Sequence, residues 1–308
     1  MTDSSYIENK LKEQQVSAGL IRDALNWGRK ETDPVLIDRI PKPAGVFYGK
    51  EIWEMCIAAI LEGENILLSG PKASGKNVLA DDLCALFGRP QWNASFHVNT
   101  DSSTLIGTDT FIDNEVKLRR GSVYECAVHG GFGVFDEINM AKNDALVVLH
   151  SALDYRKIID VPGYEKISLD PLTRFIGTMN YDYAGTRELN EALVSRFMVV
   201  DIPPIGTDIL MKILHDDFPD AKDKALEQFA GLFLDLQEKA EHSEISTKSV
   251  DLRGILAALR TIRRGLSPQA AVKIGVSGKT FDQYEKEIVE DVIRLRIPED
   301  WTREEIFE

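Results

Sequence analysis

The sequence predicts an α/β fold: a three-layer αβα domain on a mostly parallel sheet, with two inserted β-hairpins and a small all-helical domain behind it. Three observations predict it. A glycine-rich loop, Gly70-Pro71-Lys72-Ala73-Ser74-Gly75-Lys76-Asn77, stands between a short apolar run and a helical pattern. A second apolar run ends in the carboxylate pair Asp136-Glu137. After Pro203-Pro204 strand signals stop and helical ones take over. Strands alternating with helices argue for a parallel sheet, and successive amphipathic helices argue for a bundle. The expected divisions are a helical arm over 1–45, the αβα domain over 46–204 and a helical lid over 205–308.

In chain order, Ile7, Leu11, Val16, Leu20, Ile21, Leu25 and Trp27 give broken helical spacing, and Pro34, Pro41 and Pro43 close that arm. Ile52, Trp53, Cys56, Ile57, Ile60 and Leu61 mark a helix that Glu62-Gly63-Glu64 ends. Residues 65–69 read as a buried strand, and Leu79, Leu83, Leu86 and Phe87 as the helix after the loop. A second strand is expected over 95–99, with His97 at the edge of the core. The alternating stretch 110–118 reads as a hairpin turning at Asp113-Asn114, and 122–129 as a helix. A striped helix over 144–153 follows. Then come a second hairpin turning at Val161-Pro162-Gly163, a strand over 173–180, a helix over 189–196 and a strand opening at Met198. Helical patterns at 209–214, 226–236, 252–262 and 288–295 fill the last domain.

The totals narrow the function classes. A net charge of −14 argues against non-specific binding to nucleic acid or anionic membrane. No apolar run reaches the ~20 residues a bilayer needs, so no membrane insertion is expected. Cys56, Cys84 and Cys126 lack metal or disulfide spacing and fit reduced thiols in a cytoplasmic protein.

Strand, loop and helix in that order make a phosphate site. The loop's N–H groups turn toward an anion, the helix adds the positive end of its dipole, and Lys76 supplies a point charge. Gly70 through Asn77, with Val78 next on the helix, form the expected nucleotide-binding set. The motif ends in Ser or Thr when its hydroxyl holds magnesium; here Asn77 offers an amide oxygen, also a hard donor. Asp136 is the expected carboxylate for Mg²⁺, and Glu137 the group that polarises an attacking water. Asn180 stands at the carboxyl end of a strand, where α/β sheets bind ligands. Its amide suits an attacking water or a terminal phosphate oxygen.

With these anchors in place the chain resembles the AAA+ ATPases, and within them the MoxR group (the CbbQ, NorQ and GvpN type), close to dynein- and midasin-like modules. GPKASGKN, GGFGVFDEINMA, FIGTMN, LNEALVSRF and SVDLRGILAALR carry the resemblance, from about Val46 to the helix after Arg253. It implies that Asn180 is the first sensor, Arg196 an arginine finger reaching a neighbouring subunit, and Arg253 the second sensor in the lid. Arg187 is the other candidate finger, and Val46–Tyr48 would lie near adenine. The resemblance further implies ATP and Mg²⁺, a homo-oligomeric ring taken as a hexamer, and a protein client, reached in part through a von Willebrand A domain adaptor. Two rivals stand beside this ATP-driven remodeller: a magnesium-chelatase-like ATPase subunit, and a nucleotide-binding scaffold without turnover, for which Asn77 is the one argument. The sequence has no N-K-x-D guanine motif and no G-A-F-T-G-A loop.

Overall fold

The computed structural model describes residues 3–27, 33–43, 45–112, 114–160, 164–181 and 187–308. They form two compact units: Met1–Pro71 with Gly75–Ile202, and Lys72–Ser74 with Pro203–Glu308.

The first unit is built on five parallel strands. In chain order its strands are β1 (Ile66–Gly70), β2 (Gln91–Ser95), β3 (Gly107–Ile112), β4 (Glu115–Arg120), β5 (Gly131–Asp136), β6 (Ile158–Ile159), β7 (Ile167–Ser168), β8 (Thr173–Asn180) and β9 (Met198–Asp201). The central sheet has the order β2-β5-β8-β1-β9, while β3–β4 and β6–β7 are separate antiparallel hairpins. β1 is buried along its whole length, as its apolar run requires, and sits between β8 and β9. In this order the ends of β1, β5 and β8 are neighbours, with Gly70 beside Asn180 and Phe135 beside Gly177. The turn residue Asp113 and the turn 161–163 lie outside the described residues. Asn114 takes the left-handed conformation (φ 65°) expected of a tight turn, and Tyr164 Oη donates to Asp109 Oδ1 at 2.7 Å, tying the second hairpin to the first.

Three expected elements differ. The second strand runs four residues earlier than 95–99. Phe132 N–H donates to Pro90 O (2.8 Å), which starts the β2–β5 ladder there, and His97 N–H turns to Thr100 Oγ1 (2.8 Å), which ends it. His97 is therefore exposed in a turn, not at the core's edge. The helix over 144–153 breaks into Asn143–Leu146, a 3-10 turn Val147–Leu149 and His150–Leu153. Two adjacent β-branched residues, Val147 and Val148, crowd a regular turn there. The helix over 189–196 shrinks to Glu191–Val194, capped by Asn190 Oδ1 on Ala192 N–H (2.8 Å). After it, Arg196 and Phe197 N–H donate three residues back, so the chain leaves the helix toward β9.

The N-terminal segment belongs to this unit's core. Ile7, Leu11, Val16, Ile21 and Ala24 are buried together with Leu79 and Leu83 of the helix Lys76–Leu86 and with Phe87, which caps it. Trp27 meets Phe87 edge-on with centroids 5.2 Å apart, and Arg174 lies 5.1 Å over its ring. Gln14 spans Phe47 and Gly49, donating Nε2 to Phe47 O (3.0 Å) and accepting Gly49 N–H at Oε1 (2.9 Å). Trp53 Nε1 also donates to Phe47 O (2.9 Å), and Phe47 N–H donates to Asp82 Oδ2 (2.8 Å).

The second unit is helical: Thr207–Asp217, Asp223–Glu241, Leu252–Arg263, Pro268–Gly275, Gln283–Arg296 and Arg303–Ile306. The expectations missed Pro268–Gly275, which Ser267 caps and Pro268 opens. Gly254 and Gly275 bring two helices together; a Cβ on Gly254 would fall 2.1 Å from Gly275 O. Phe307 is buried against Phe218 (centroids 6.1 Å apart), and Arg296 clamps Asp235 through Nε (2.7 Å) and Nη2 (2.9 Å).

Burial lifts the Asp82 carboxyl to about 8; Phe47 N–H opposes the lift and the charge of Asp81 adds to it. The folded protein thus keeps a proton that the unfolded chain releases near the ordinary carboxylate range, and this contribution to stability is lost as pH rises toward about 8. Asp82→Asn removes the titration. Thermal midpoints from about pH 5 to about pH 9 should show the variant gaining on the parent as pH rises; a constant difference would remove Asp82 from the linkage.

Candidate functional site

The loop after β1 turns into the helix Lys76–Leu86 through Gly75, whose φ of +89° is left-handed. The Phe47 ring lies 3.1 Å from where a Cβ would sit on Gly75, so conformation and space both call for glycine. Lys76 is buried, and its Nζ donates to Gly70 O (2.9 Å) and Pro71 O (2.6 Å). Burial lowers Lys76 to about 8, while Asp136 and Glu137 pull it up. A desolvated ammonium held by loop carbonyls is a strong phosphate receptor, because little water has to leave. Asn77 and Val78 are exposed on the helix's first turn. Lys72, Ala73 and Ser74 group with the second unit, where Lys72 Nζ donates to Thr247 O (3.1 Å).

Asp136 closes β5, and two groups hold its Oδ1. Asn77 Nδ2 donates at 3.1 Å and Thr178 Oγ1 at 2.8 Å. Thr178 Oγ1 also accepts Glu137 N–H (3.1 Å), so one hydroxyl links the carboxylate to the next residue's backbone. Glu137 has φ 54° and ψ 47°, a left-handed conformation that costs about 1 kcal/mol in a residue with a Cβ. That turn brings its side chain to Asn180, whose Nδ2 donates to Glu137 Oε1 at 3.2 Å. Asn180's own carbonyl accepts from Asn139 Nδ2 (2.7 Å), and Asn139 O accepts Arg187 N–H (2.9 Å).

The residues present fit a magnesium nucleotide. Asp136 and Asn77 touch, and the amide of Asn77, turned over, would present oxygen beside the carboxylate. Among the described residues no three His, Cys, Asp or Glu gather as a closed cage. One carboxylate, one amide oxygen, water and phosphate oxygens are a donor set that suits Mg²⁺.

The other expected residues have partners of their own. Arg196 follows the helix Glu191–Val194; its Nε donates to His150 O (3.2 Å), Nη1 bonds Ala192 O, and Nη2 lies 3.5 Å from Asp154 Oδ2. Arg187 is exposed. Arg253 belongs to the second unit, 87% exposed at its side chain, with Nε 3.4 Å from Asp251 Oδ1. Arg260, on the same helix, pairs with Asp217 at 2.8 Å.

Sequence reasoning missed Thr178, Asn139 and Gln14. Thr178 had one signal, a hydroxyl two residues before the strand-end Asn180 and so on the same face of the strand. Asn139 and Gln14 had none, because their partners are remote in sequence.

A family model for the AAA domain of the dynein-related subfamily matches residues 65–197, which hold Lys76, Asp136, Glu137, Thr178, Asn180 and Arg196. YojN of Bacillus subtilis, an uncharacterized protein, is 32% identical over 242 residues, covering 77% of this chain and 79% of that protein. Two uncharacterized proteins of Staphylococcus aureus, SAB1265c and SAOUHSC_01413, are each 32% identical over 238 residues, 75% of this chain and 90% of theirs. A solved chain from Cytophaga hutchinsonii aligns over 99% of this chain and 97% of its own at a TM-score of 0.45 and 15% identity. No described helix is long and apolar enough to cross a membrane.

Two outcomes follow from this geometry. Lys76 would bind phosphate as the cation, so ATP affinity should hold below pH 8 and fall by up to about tenfold per unit above it. Titrations with a fluorescent ATP analogue at about pH 7 and about pH 9.5 check this; equal affinities would put Lys76 outside the site. Thr178→Val removes the hydroxyl shared by Asp136 and Glu137. It should lower ATP turnover by about tenfold to a hundredfold, as the loss of a ligand-orienting partner does, with nucleotide affinity little changed. Turnover within twofold of the parent would refute that role.

Proposed function

Because the chain belongs to the dynein-related AAA family, we propose that it is a magnesium-dependent ATPase of MoxR type that assembles into a ring and remodels or activates a protein client. The observation that carries the reading is the hydrogen-bonded set Asn77, Asp136, Glu137, Thr178 and Asn180 at the ends of neighbouring strands, with Lys76 on the carbonyl of Gly70, the residue that pairs with Asn180.

Lys76 and the loop N–H groups hold the phosphates, and Asp136 with Asn77 would hold the magnesium ion that neutralises their charge. Glu137 orients and polarises the attacking water; its left-handed backbone and the Asn180 amide keep its carboxylate at one place. Arg196 would stabilise the transition-state charge on a neighbouring copy's nucleotide, which makes turnover depend on assembly. Arg253 is the expected second sensor. Two hairpins flank Asp136-Glu137 in sequence, and the first exposes the cross-strand pair Phe111 and Val116, a small apolar surface suited to a protein client. The ring is taken as a hexamer and a von Willebrand A domain protein as the adaptor; both rest on the resemblance. Asn77 favours one second reading, a nucleotide-binding scaffold, since its amide stands where a hydroxyl usually meets magnesium.

Steady-state hydrolysis against protein concentration, with and without Mg²⁺, separates the readings. The specific rate should rise with concentration and fall by about a thousandfold or more in Glu137→Gln, which loses the general base but keeps ATP binding. Binding without turnover at every concentration would select the scaffold. Arg196→Ala should be inactive alone and regain activity when mixed with Lys76→Ala protein; no recovery on mixing would sink the assignment in trans.

A further inference from the structure

Asp154 stands between two arginines that are far apart in role. Arg156 grips it from one side: its backbone N–H donates to Oδ1 at 3.0 Å, its Nε reaches Oδ1 at 3.1 Å and Oδ2 at 3.2 Å, and its Nη2 reaches Oδ2 at 2.7 Å. Arg196 Nη2 meets the same Oδ2 from the other side at 3.5 Å. The Asp154 side chain is only 13% exposed and Arg196 22%, whereas Arg156 is 47% exposed. Arg156 also holds the carboxyl low, at about 2, so Asp154 stays charged at any working pH.

The two contacts differ in kind. The Arg156 grip is short and bidentate, and so specific in geometry. The Arg196 contact is longer and uses one guanidinium nitrogen, while the other two are tied to the backbone at His150 and Ala192. Arg196 is thus restrained on three sides, by groups from two separate stretches of chain. A free arginine spreads over many rotamers, and only a small fraction of them aims at one point. Restraint before the phosphate arrives removes that loss from the binding step. Two guanidiniums around one carboxylate still leave net positive charge for an incoming phosphate.

We propose that Asp154 is the positioning residue for Arg196: it holds the guanidinium in the orientation in which it meets a phosphate of a neighbouring copy, and Arg156 fixes Asp154 in turn. This inference rests on the reading of Arg196 as a group acting in trans. An ion pair that served folding alone would leave turnover independent of Arg196.

A double-mutant cycle on the full chain distinguishes these cases, read as turnover at saturating Mg·ATP and as ATP affinity. Arg196→Ala should lose about a hundredfold or more in turnover, as removal of a trans arginine does. Asp154→Asn should lose about tenfold, with ATP affinity unchanged, and Asp154→Glu should recover part of it. The double variant should be no slower than Arg196→Ala, because both changes remove one unit of function. Mixed with Arg196→Ala protein, Asp154→Asn should perform as a poor arginine donor. Losses that multiply in the double variant, or parental turnover in Asp154→Asn, would overturn the proposal while leaving Arg196 in its role. Parental turnover in Arg196→Ala would overturn the trans reading and the proposal together. If Asp154→Asn lowers the thermal midpoint enough to obscure the rates, Arg156→Gln takes its place. It should cost about threefold and be silent in the Arg196→Ala background, as coupling through one contact network requires; an effect of equal size in both backgrounds overturns the proposal.

Discussion

The hydroxyl of Thr178 is the constraint on which the site depends. It donates to Asp136 and accepts from the Glu137 backbone, and it is almost wholly buried. Its position follows from parallel pairing: β8 lies between β5 and β1, so a residue near the end of β8 faces the end of β5. With that bridge made, Asp136 is aimed at Asn77 and the chain can enter the left-handed turn at Glu137. A buried hydroxyl with both functions used loses a donor and an acceptor together if its neighbours shift, at a cost of roughly 1–3 kcal/mol for each polar group left unmade. The sheet register and the carboxylate geometry therefore support each other.

A second chain of contacts runs from the N-terminal segment to Gly75 of the glycine-rich loop. Gln14 fixes the backbone of Phe47 and Gly49, Asp82 takes the Phe47 N–H, and the Phe47 ring covers Gly75. Trp27 packs among Phe87, Phe132 and Arg174. The segment expected as an arm over 1–45 is thus part of the core that holds the loop's helix. Its amphipathic spacing was readable in the sequence, but not which surface its apolar face would cover.

What was legible followed local rules. β5, β8 and the helix Ser122–His129 lie where their patterns put them, since a continuous apolar run and a 3.6-residue period each suit one backbone geometry. The shortfalls fell where tertiary bonds outweigh pattern. β2 starts at Gln91 because Pro90 and Phe132 begin the ladder there, and the stretch 95–99 turns away once His97 N–H finds Thr100. The stripe over 144–153 had the right apolar residues, yet Val147-Val148 breaks the helix. Lys76, Asp136, Glu137 and Asn180 were legible as candidates because each stands at or next to the end of a regular element; Thr178 and Asn139 were not, because their bonds are made by contact across strands.

By itself the sequence determined an α/β sheet domain with a glycine-rich loop between a strand and a helix, two carboxylates at and just after a strand's end, and helices after Pro203. Those features depend on periodicity and on residues adjacent in the chain, which act before folding is complete. Only the tertiary structure decided the partners. It set Asn77 against Asp136 across 59 positions, Asn180 against Glu137 across 43, and Gln14 against Phe47 across 33. It also placed Arg196 on Asp154. Contacts of that separation carry no local preference in either residue. They exist because sheet order and the packed core bring remote segments within hydrogen-bond reach, and buried polar groups must then find one another.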